Sequence, residues 1–442
     1  MEDERRDRVN KWQEMYQNKL APAEEIVKNI QSGDVCASAC ALGEPLGLVD
    51  ALAEHAKKEN KTGITHHLLL TLKNNKYLSP EYSKHVKHVS WFTSGFSRKP
   101  VQEGIADFMP VYYHDAPMLW RRHVEADVFY AVVSPMDKHG WFSFGASTSN
   151  PRAQMERAKK IYLEVNENMP RTHGRGFVHI AEVDAVYENH VPLMEMPDAP
   201  ITEKDKIVGD LIAERIPDGA TIQLGIGGIP NAVAKALEVK KDLGIHSEMF
   251  TEGMVNLFEL GVVNNKNKNI NRFKAIAGFA VGTRRMYDFL DDNPGVEFHA
   301  IDYVNNVDVI ASHDDFVSIN ATLEVDLIGQ VCSESIGTKQ FSGTGGQADF
   351  VRGAGRSKGG KSFITTYATA KDDTISKIKP TLTEGAHVTC TKNEVDHIVT
   401  EFGVAQLRGK SASERAKALI EIAHPNFREE LTHAARKMHL LP

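Results

Sequence analysis

The stretch Ile216-Pro217-Asp218-Gly219-Ala220-Thr221-Ile222-Gln223-Leu224-Gly225-Ile226-Gly227-Gly228-Ile229-Pro230 decides the fold. An apolar run entered through a Pro-Asp-Gly turn and closed by a glycine cluster reads as a strand from Ala220 to Leu224. The glycines open backbone conformations closed to other residues and leave N–H donors bare. Pro230 suits the first turn of a helix, where a missing N–H costs nothing. Ala232, Val233, Ala236 and Leu237 then recur at helical spacing. The segment is strand, tight turn, helix. Taken alone it is no more than a turn, and it fails the dinucleotide fingerprint because Pro230 stands where the third glycine belongs.

The pattern occurs twice. Ile30-Gln31-Ser32-Gly33-Asp34 also leads into a short apolar run, then Gly43-Glu44-Pro45, then Val49, Ala51 and Leu52. This repeat predicts an α/β protein of two related tandem domains, residues 1–195 and 196–442, each with a largely parallel sheet. Expected strands are 64–72, 89–92, 108–113 and 128–133 in the first domain, and 296–303 and 316–325 in the second. The proline-rich stretch 192–200 reads as the linker. Ser411-x-x-Glu414 predicts a capping box opening a helix with Ala416, Leu419, Ile420 and Ala423 on one face. His66-His67, on a strand, would point one ring at a core and the other at solvent.

With 442 residues, 25% charged and 41% hydrophobic, the chain has ordinary globular composition. A formal charge of -7 argues against a nucleic-acid partner. Met1-Glu2-Asp3-Glu4-Arg5-Arg6-Asp7 has no apolar core, so no secretory signal is expected, and no apolar run approaches a membrane span. Cys36, Cys40, Cys332 and Cys390 fit buried thiols in a reducing compartment rather than disulfides or a metal site. The expectation is a cytoplasmic protein without metal.

Two motifs mislead. Gly355 to Ser362 satisfies the phosphate-loop spelling, but the β-branched run after it, 363–369, reads as a strand where that loop needs a helix. No nucleotide hydrolysis is expected. Ser342-Gly343-Thr344-Gly345-Gly346-Gln347-Ala348 fits a dinucleotide variant, yet glycine continues through Gly353 and no helix pattern follows. The 19 histidines show no metal-binding spacing, and His246 reads as a structural neighbour of Glu248.

Glu248 lies shortly after the first glycine loop, flanked by uncharged residues. Backbone donors that stabilise a developing negative charge, beside a carboxylate able to act as nucleophile, are what acyl transfer requires.

The chain resembles the acetyl-CoA hydrolase/transferase family of class I CoA-transferases, and within it the 4-hydroxybutyrate and butyrate:acetate CoA-transferase branch. The likeness runs through Ser32-Gly33-Asp34, Trp91-Phe92-Thr93-Ser94, Val133-Ser134-Pro135, Gln223 to Pro230 and Gly244 to Met249. It continues in Asp302 to Asn305, Ser342 to Phe350, Val399 to Ala405 and Ala423-His424-Pro425. The resemblance implies two α/β domains with the active site between them, in a homo-oligomer. It implies Glu248 as covalent nucleophile and Gly225, Ile226, Gly227, Gly228 and Ile229 lining the CoA thioester. Gly343, Gly345 and Gly346 would contribute donors near the acyl group, and Asn305 and Lys371 would contact CoA. Substrates would be an acyl-CoA and a small carboxylic acid, with no tightly bound cofactor. The alternative is an acyl-CoA hydrolase using the same glutamate. Thr344 and Ala348 stand where relatives commonly have valine, and Phe250-Thr251 where they have isoleucine-serine. A hydroxyl on Thr344 facing the acyl pocket would favour a hydroxylated or dicarboxylic acid, such as 4-hydroxybutyrate, succinate or itaconate.

Overall fold

A computed structural model describes residues 11–442; the charged stretch Met1 to Asp7 lies outside them. The chain forms two compact units. The first takes the described residues up to Met109 together with Asp115–Glu195 and Gly278–Ile301. The second takes Pro110–His114, Met196–Ala277 and Asp302–Pro442.

The first unit is built on β1 (Val35–Ser38), β2 (Ile64–Leu68), β3 (Val86–Ser90), β4 (Asp107–Phe108), β5 (Val128–Val133), β6 (Lys160–Val165) and β7 (Ala185–Glu188). Their order in the sheet is β7-β6-β5-β1-β2-β3-β4, every pair parallel. Parallel strands need crossovers, and these cover both faces. All six residues of β5 are accordingly buried. The same cover corrects the expectation for His66 and His67: both are buried, at 0% and 7% exposure. Helix α1 (Leu46–Lys58) turns Leu48, Val49, Leu52 and Ala56 onto the core that holds Ile26, Ile30, Cys36 and Ile64. The strand expected over 108–113 ends at Phe108, and a single helical turn forms at Tyr113–Asp115; Pro110 has no N–H for a sheet ladder. The strand expected over 296–303 is Val296–Phe298 only, followed by the helical turn Ile301–Val304.

The second unit repeats this plan with β8 (Thr221–Leu224), β9 (Gly244–Phe250), β10 (Phe316–Ala321), β11 (Lys361–Thr365), β12 (His397–Thr400) and β13 (Gly403–Gln406). They run in the order β13-β12-β11-β10-β8-β9, parallel except for the closing β12–β13 hairpin. In both units the first strand lies inside the sheet, with the next strand in sequence on one side and a later one on the other. Helices α2 (Glu203–Ala213) and α3 (Gly228–Ala236) approach closely because Gly209 has no side chain; a Cβ there would lie 2.8 Å from the Ala232 carbonyl carbon. After α4 (Glu252–Glu259), the run expected as one strand over 316–325 divides into β10 and Glu324–Asp326.

Helix α5 (Gln347–Arg356) corrects the reading that no helix follows the Ser342 to Gly346 loop. Its glycines, unfavourable for helix by propensity, serve packing instead. A Cβ on Gly353 would meet Ile310 Cγ2 at 2.4 Å, and one on Gly355 would meet Arg408 Nη2 at 2.3 Å. The phosphate-loop spelling therefore runs from the end of a helix into β11, the reverse of what a phosphate cradle needs. Helix α6 (Ala412–Glu421) buries Ala416, Leu419 and Ile420 against Ile364, Ile398 and Val351. Among the described residues no helix is long and apolar enough to cross a membrane. All four cysteines are buried, and none is in a disulfide among the described residues.

The capping box of α6 is complete, with Glu414 N–H donating to Ser411 Oγ and Ser411 N–H to Glu414 Oε2. Ser411 is exposed, so Ser411→Ala should lose about 1 kcal/mol of stability without touching the core. Denaturant midpoints of the two proteins check this; equal midpoints would mean that the cap contributes nothing.

Candidate functional site

Register places the glycine loop beside Glu248. Thr221 pairs with Gly244 and Ile222 with Ile245, so parallel continuation sets Gly225 level with Glu248. Ser247 Oγ donating to the Leu224 carbonyl at 3.3 Å keeps that register. The loop leaves the carboxyl end of β8 where its neighbours β9 and β10 diverge, the place where open parallel sheets bind ligands. Gly227 needs its missing side chain, with φ at +115°. Gly228 makes room for Asp205 of α2, whose Oδ2 would lie 2.6 Å from a Cβ; Asp205 in turn caps α2 through Thr202. Ile226 is 53% exposed at the loop tip. The loop is thereby rigid at its base and open at its crest.

Glu248 is the one residue of β9 not buried. Its Oε2 accepts from Asn305 Nδ2 at 2.7 Å, and the Gly346 N–H also bonds to the carboxylate. Asn305 follows the turn Ile301–Val304, which buried His246 anchors through Nε2 donating to the Val304 carbonyl at 2.6 Å. His246 thus has the structural role expected of it. Gly346 stands at the N-terminus of α5, and here glycine is a spatial requirement. A Cβ would lie 2.0 Å from Glu248 Oε2 and 2.2 Å from Asn305 Nδ2.

Two residues with no motif join the group. Buried Asp349, in the first turn of α5, accepts from His114 Nδ1 at 2.6 Å and from the His114 N–H at 3.2 Å. Its Oδ2 also lies 3.4 Å from Asn305 Nδ2. An acidic residue just past a glycine loop was a visible signal for Asp349. Nothing in the sequence linked His114, 235 residues away. Burial pushes the Glu248 carboxyl up from 4.5 to about 7; the Asn305 and Gly346 donors oppose this and the Asp349 charge adds to it. Burial likewise raises Asp349, against its bonds from His114 and Asn305.

The remaining predicted residues fall into two sets. Gly345, at φ +55°, accepts from the Tyr113 N–H, and buried Gly343 lies in the same loop, so both stand beside Gly346. Lys371 occupies an exposed turn at φ +49°, separate from the hydrogen-bonded group around Glu248. The Thr344 hydroxyl already has a partner, donating to the Glu334 carboxylate at 3.2 Å, which Thr389 also holds. It therefore needs no substrate oxygen, and Thr344 gives no preference for a polar acid. A half-open carboxylate held at Oε2 by the Asn305 amide can attack an electrophilic carbon with its other oxygen.

The chain matches two family models: the acetyl-CoA hydrolase/transferase N-terminal domain over residues 2–195, and the C-terminal domain of the same name over 282–435. Succinyl-CoA:cyclohexane-1-carboxylate CoA transferase of Geobacter metallireducens is 49% identical, over 97% of this chain and 97% of its own. The 4-hydroxybutyrate coenzyme A transferase of Clostridium kluyveri is 44% identical, over 96% and 99%. The crystal structure of RipA from Yersinia pestis aligns with a TM-score of 0.93 at 39% identity, covering 97% of this chain and 99% of that one.

Gly346 has φ −95° and ψ 4°, a backbone that alanine adopts without strain. Gly346→Ala should therefore fold, while its methyl breaks the Asn305–Glu248 contact. The expected result is a loss of turnover of about 100-fold, the scale of a misplaced reacting group, with an unchanged circular dichroism spectrum. Turnover within a few-fold of wild type would show that the contact is dispensable.

Proposed function

The chain belongs to the acetyl-CoA hydrolase/transferase family and is a CoA-transferase, moving CoA from an acyl-CoA to a carboxylic acid; from that premise we propose that Glu248 carries the reaction covalently. Glu248 Oε1 attacks the thioester carbonyl carbon, the C–S bond breaks, and CoA leaves as thiolate from an acyl-glutamyl anhydride. The thiolate attacks the glutamyl carbon, the bridging C–O bond breaks, and the first acid departs as carboxylate. What remains is a glutamyl-CoA thioester. The acceptor carboxylate attacks that thioester and expels the thiolate, which then attacks the acceptor's acyl carbon and restores Glu248. No proton is gained or lost over the cycle.

The observation that supports this is the placement of the Asn305 donor at Oε2. Once Oε1 is acylated, Oε2 is the carbonyl oxygen of the anhydride. Thiolate attack turns it into an oxyanion, and Asn305 Nδ2 already points at it, with the Gly346 N–H on the same carboxylate. One such donor is typically worth about 3 kcal/mol in the transition state. The same reading gives Gly225 to Ile229 the CoA thioester and gives Asn305 and Lys371 contacts with CoA. Gly343 and Gly345 would supply donors near the acyl group. Binding of CoA's long tail can orient the reacting centre.

The donor would be a short-chain acyl-CoA, and the acceptor an acid of the 4-hydroxybutyrate, acetate or butyrate type. Relatives named for cyclohexane-1-carboxylate and for succinyl-CoA add a bulky acid and a dicarboxylate to the panel worth assaying. The enzyme would work as a homo-oligomer in the cytoplasm, a reducing compartment that suits four buried cysteines without disulfides.

Glu248→Ala should reduce transfer by at least about 1,000-fold, as loss of a covalent nucleophile does, while the fold stays intact. Wild-type enzyme given acyl-CoA alone should yield a peptide with CoA attached at Glu248, and two-substrate kinetics should be ping-pong. Intersecting double-reciprocal patterns without that adduct would contradict the proposal. CoA release that continues without an acceptor acid would identify a hydrolase instead.

The raised carboxyl has a sign. Glu248 must be ionised to attack, and its proton is held up to about 7 instead of 4.5. The ionised fraction thus falls as pH drops through about 7. The pH profile of kcat/KM, which reports free-enzyme groups, should show a plateau above that point and an acid limb near it. A limb at the ordinary carboxylate value would contradict the assignment.

A further inference from the structure

Asn305 is buried, and its Oδ1 has no hydrogen-bond partner. The amide is oriented from its nitrogen end only, by Glu248 Oε2 at 2.7 Å and Asp349 Oδ2 at 3.4 Å. Two carboxylates thus share the two N–H groups of one amide. If Asp349 moves, nothing on the oxygen side stops the amide from rotating, and a rotated amide would aim a lone pair at Glu248.

Asp349 is itself held from a distant segment. Pro110–His114 belongs to the second unit and meets α5 and the loop before it at three positions. The Tyr113 N–H donates to the Gly345 carbonyl at 3.2 Å. His114 clasps Asp349 with its ring and its backbone N–H. The Arg352 guanidinium lies 4.7 Å over the Tyr112 ring and is fixed in turn by Glu394. The Tyr112 ring stacks on the His114 ring, with centroids 6.2 Å apart. Gly345, Asp349 and Arg352 bracket Gly346, whose N–H is the other donor to Glu248. Segment and helix together set both donors.

We infer that His114 and Asp349 form a positioning pair that fixes the Asn305 amide, and with it the attacking and oxyanion geometry of Glu248. The inference rests on the reading of Glu248 as nucleophile. Neither residue touches substrate in this account. His114 acts by placing a donor at its Nδ1, so a side chain with an N–H at that point should replace it.

Asparagine meets that condition, since its Nδ2 is one bond from Cγ as the histidine Nδ1 is. Glutamine does not, because its amide reaches the Nε2 position. The experiment compares His114→Ala, His114→Asn and His114→Gln for kcat, acyl-CoA KM, melting temperature and the rate of Glu248–CoA adduct formation in a single turnover. His114→Ala and His114→Gln should lose about 10- to 100-fold in kcat and adduct rate, the scale of a misplaced reacting group, with KM little changed. His114→Asn should recover to within a few-fold of wild type. An unchanged kcat in His114→Ala, or His114→Asn no better than His114→Gln, would overturn the pair. So would losses that follow melting temperature or KM rather than kcat. If His114→Ala fails to fold, the Asn-against-Gln comparison still decides. Absence of the adduct in wild type would instead overturn the nucleophile reading, so the two failures are distinguishable.

Discussion

The arrangement depends on one hydrogen bond, from Asn305 Nδ2 to Glu248 Oε2 at 2.7 Å, and on the missing side chain that allows it. Gly346 must carry no Cβ, or the carboxylate and the amide cannot meet. Much of the second unit can be read as support for that contact. Strand β9 presents Glu248 at the carboxyl edge of the sheet, and His246 on the same strand ties down the turn that ends in Asn305. Helix α5 begins at the glycine that the contact requires. Asn305 takes one oxygen of Glu248, which suits a nucleophile whose carboxyl also becomes an electrophilic carbonyl.

The price of this arrangement is two buried carboxylates close together. Burial disfavours the charged form of each, and their mutual repulsion adds to it. Ionised Glu248 is consequently less stable than an exposed glutamate and more reactive toward a thioester. The site offsets the penalty with hydrogen bonds from Asn305 and Gly346 to Glu248 and from Asn305 and, twice, His114 to Asp349. Such polar clusters hold one geometry only when each member is satisfied, and the unpartnered Asn305 Oδ1 marks where this one can give way.

What could be read in the sequence follows how local each feature is. The strand, glycine turn and helix from Thr221 to Ala236 were legible because turn residues and apolar spacing lie side by side. The capping box of α6 was legible for the same reason. Glu248 stood out by its proximity to that loop, whereas Asn305 and Gly346 came from resemblance, since no local pattern distinguishes them. Helix α5 was hidden because Gly353 and Gly355 look like loop residues until Ile310 and Arg408 are seen packed against them. His66 and His67 were misread because alternation assumes one wet face, and a covered parallel sheet has none. The bond from Thr344 to Glu334 and the clasp of His114 on Asp349 are tertiary and have no sequence signature.

In this mechanism an oxygen of the acid substrate passes through Glu248. When the acceptor carboxylate attacks the glutamyl-CoA thioester, one of its oxygens becomes the bridge of the new anhydride and stays with Glu248 when CoA takes the acyl group. Enzyme preloaded as the CoA adduct and given one turnover with acceptor acid labelled in both oxygens with oxygen-18 tests this directly. One heavy oxygen is expected in the peptide containing Glu248, located on its side chain by fragmentation. Label absent from that carboxyl, with transfer still complete, would contradict it.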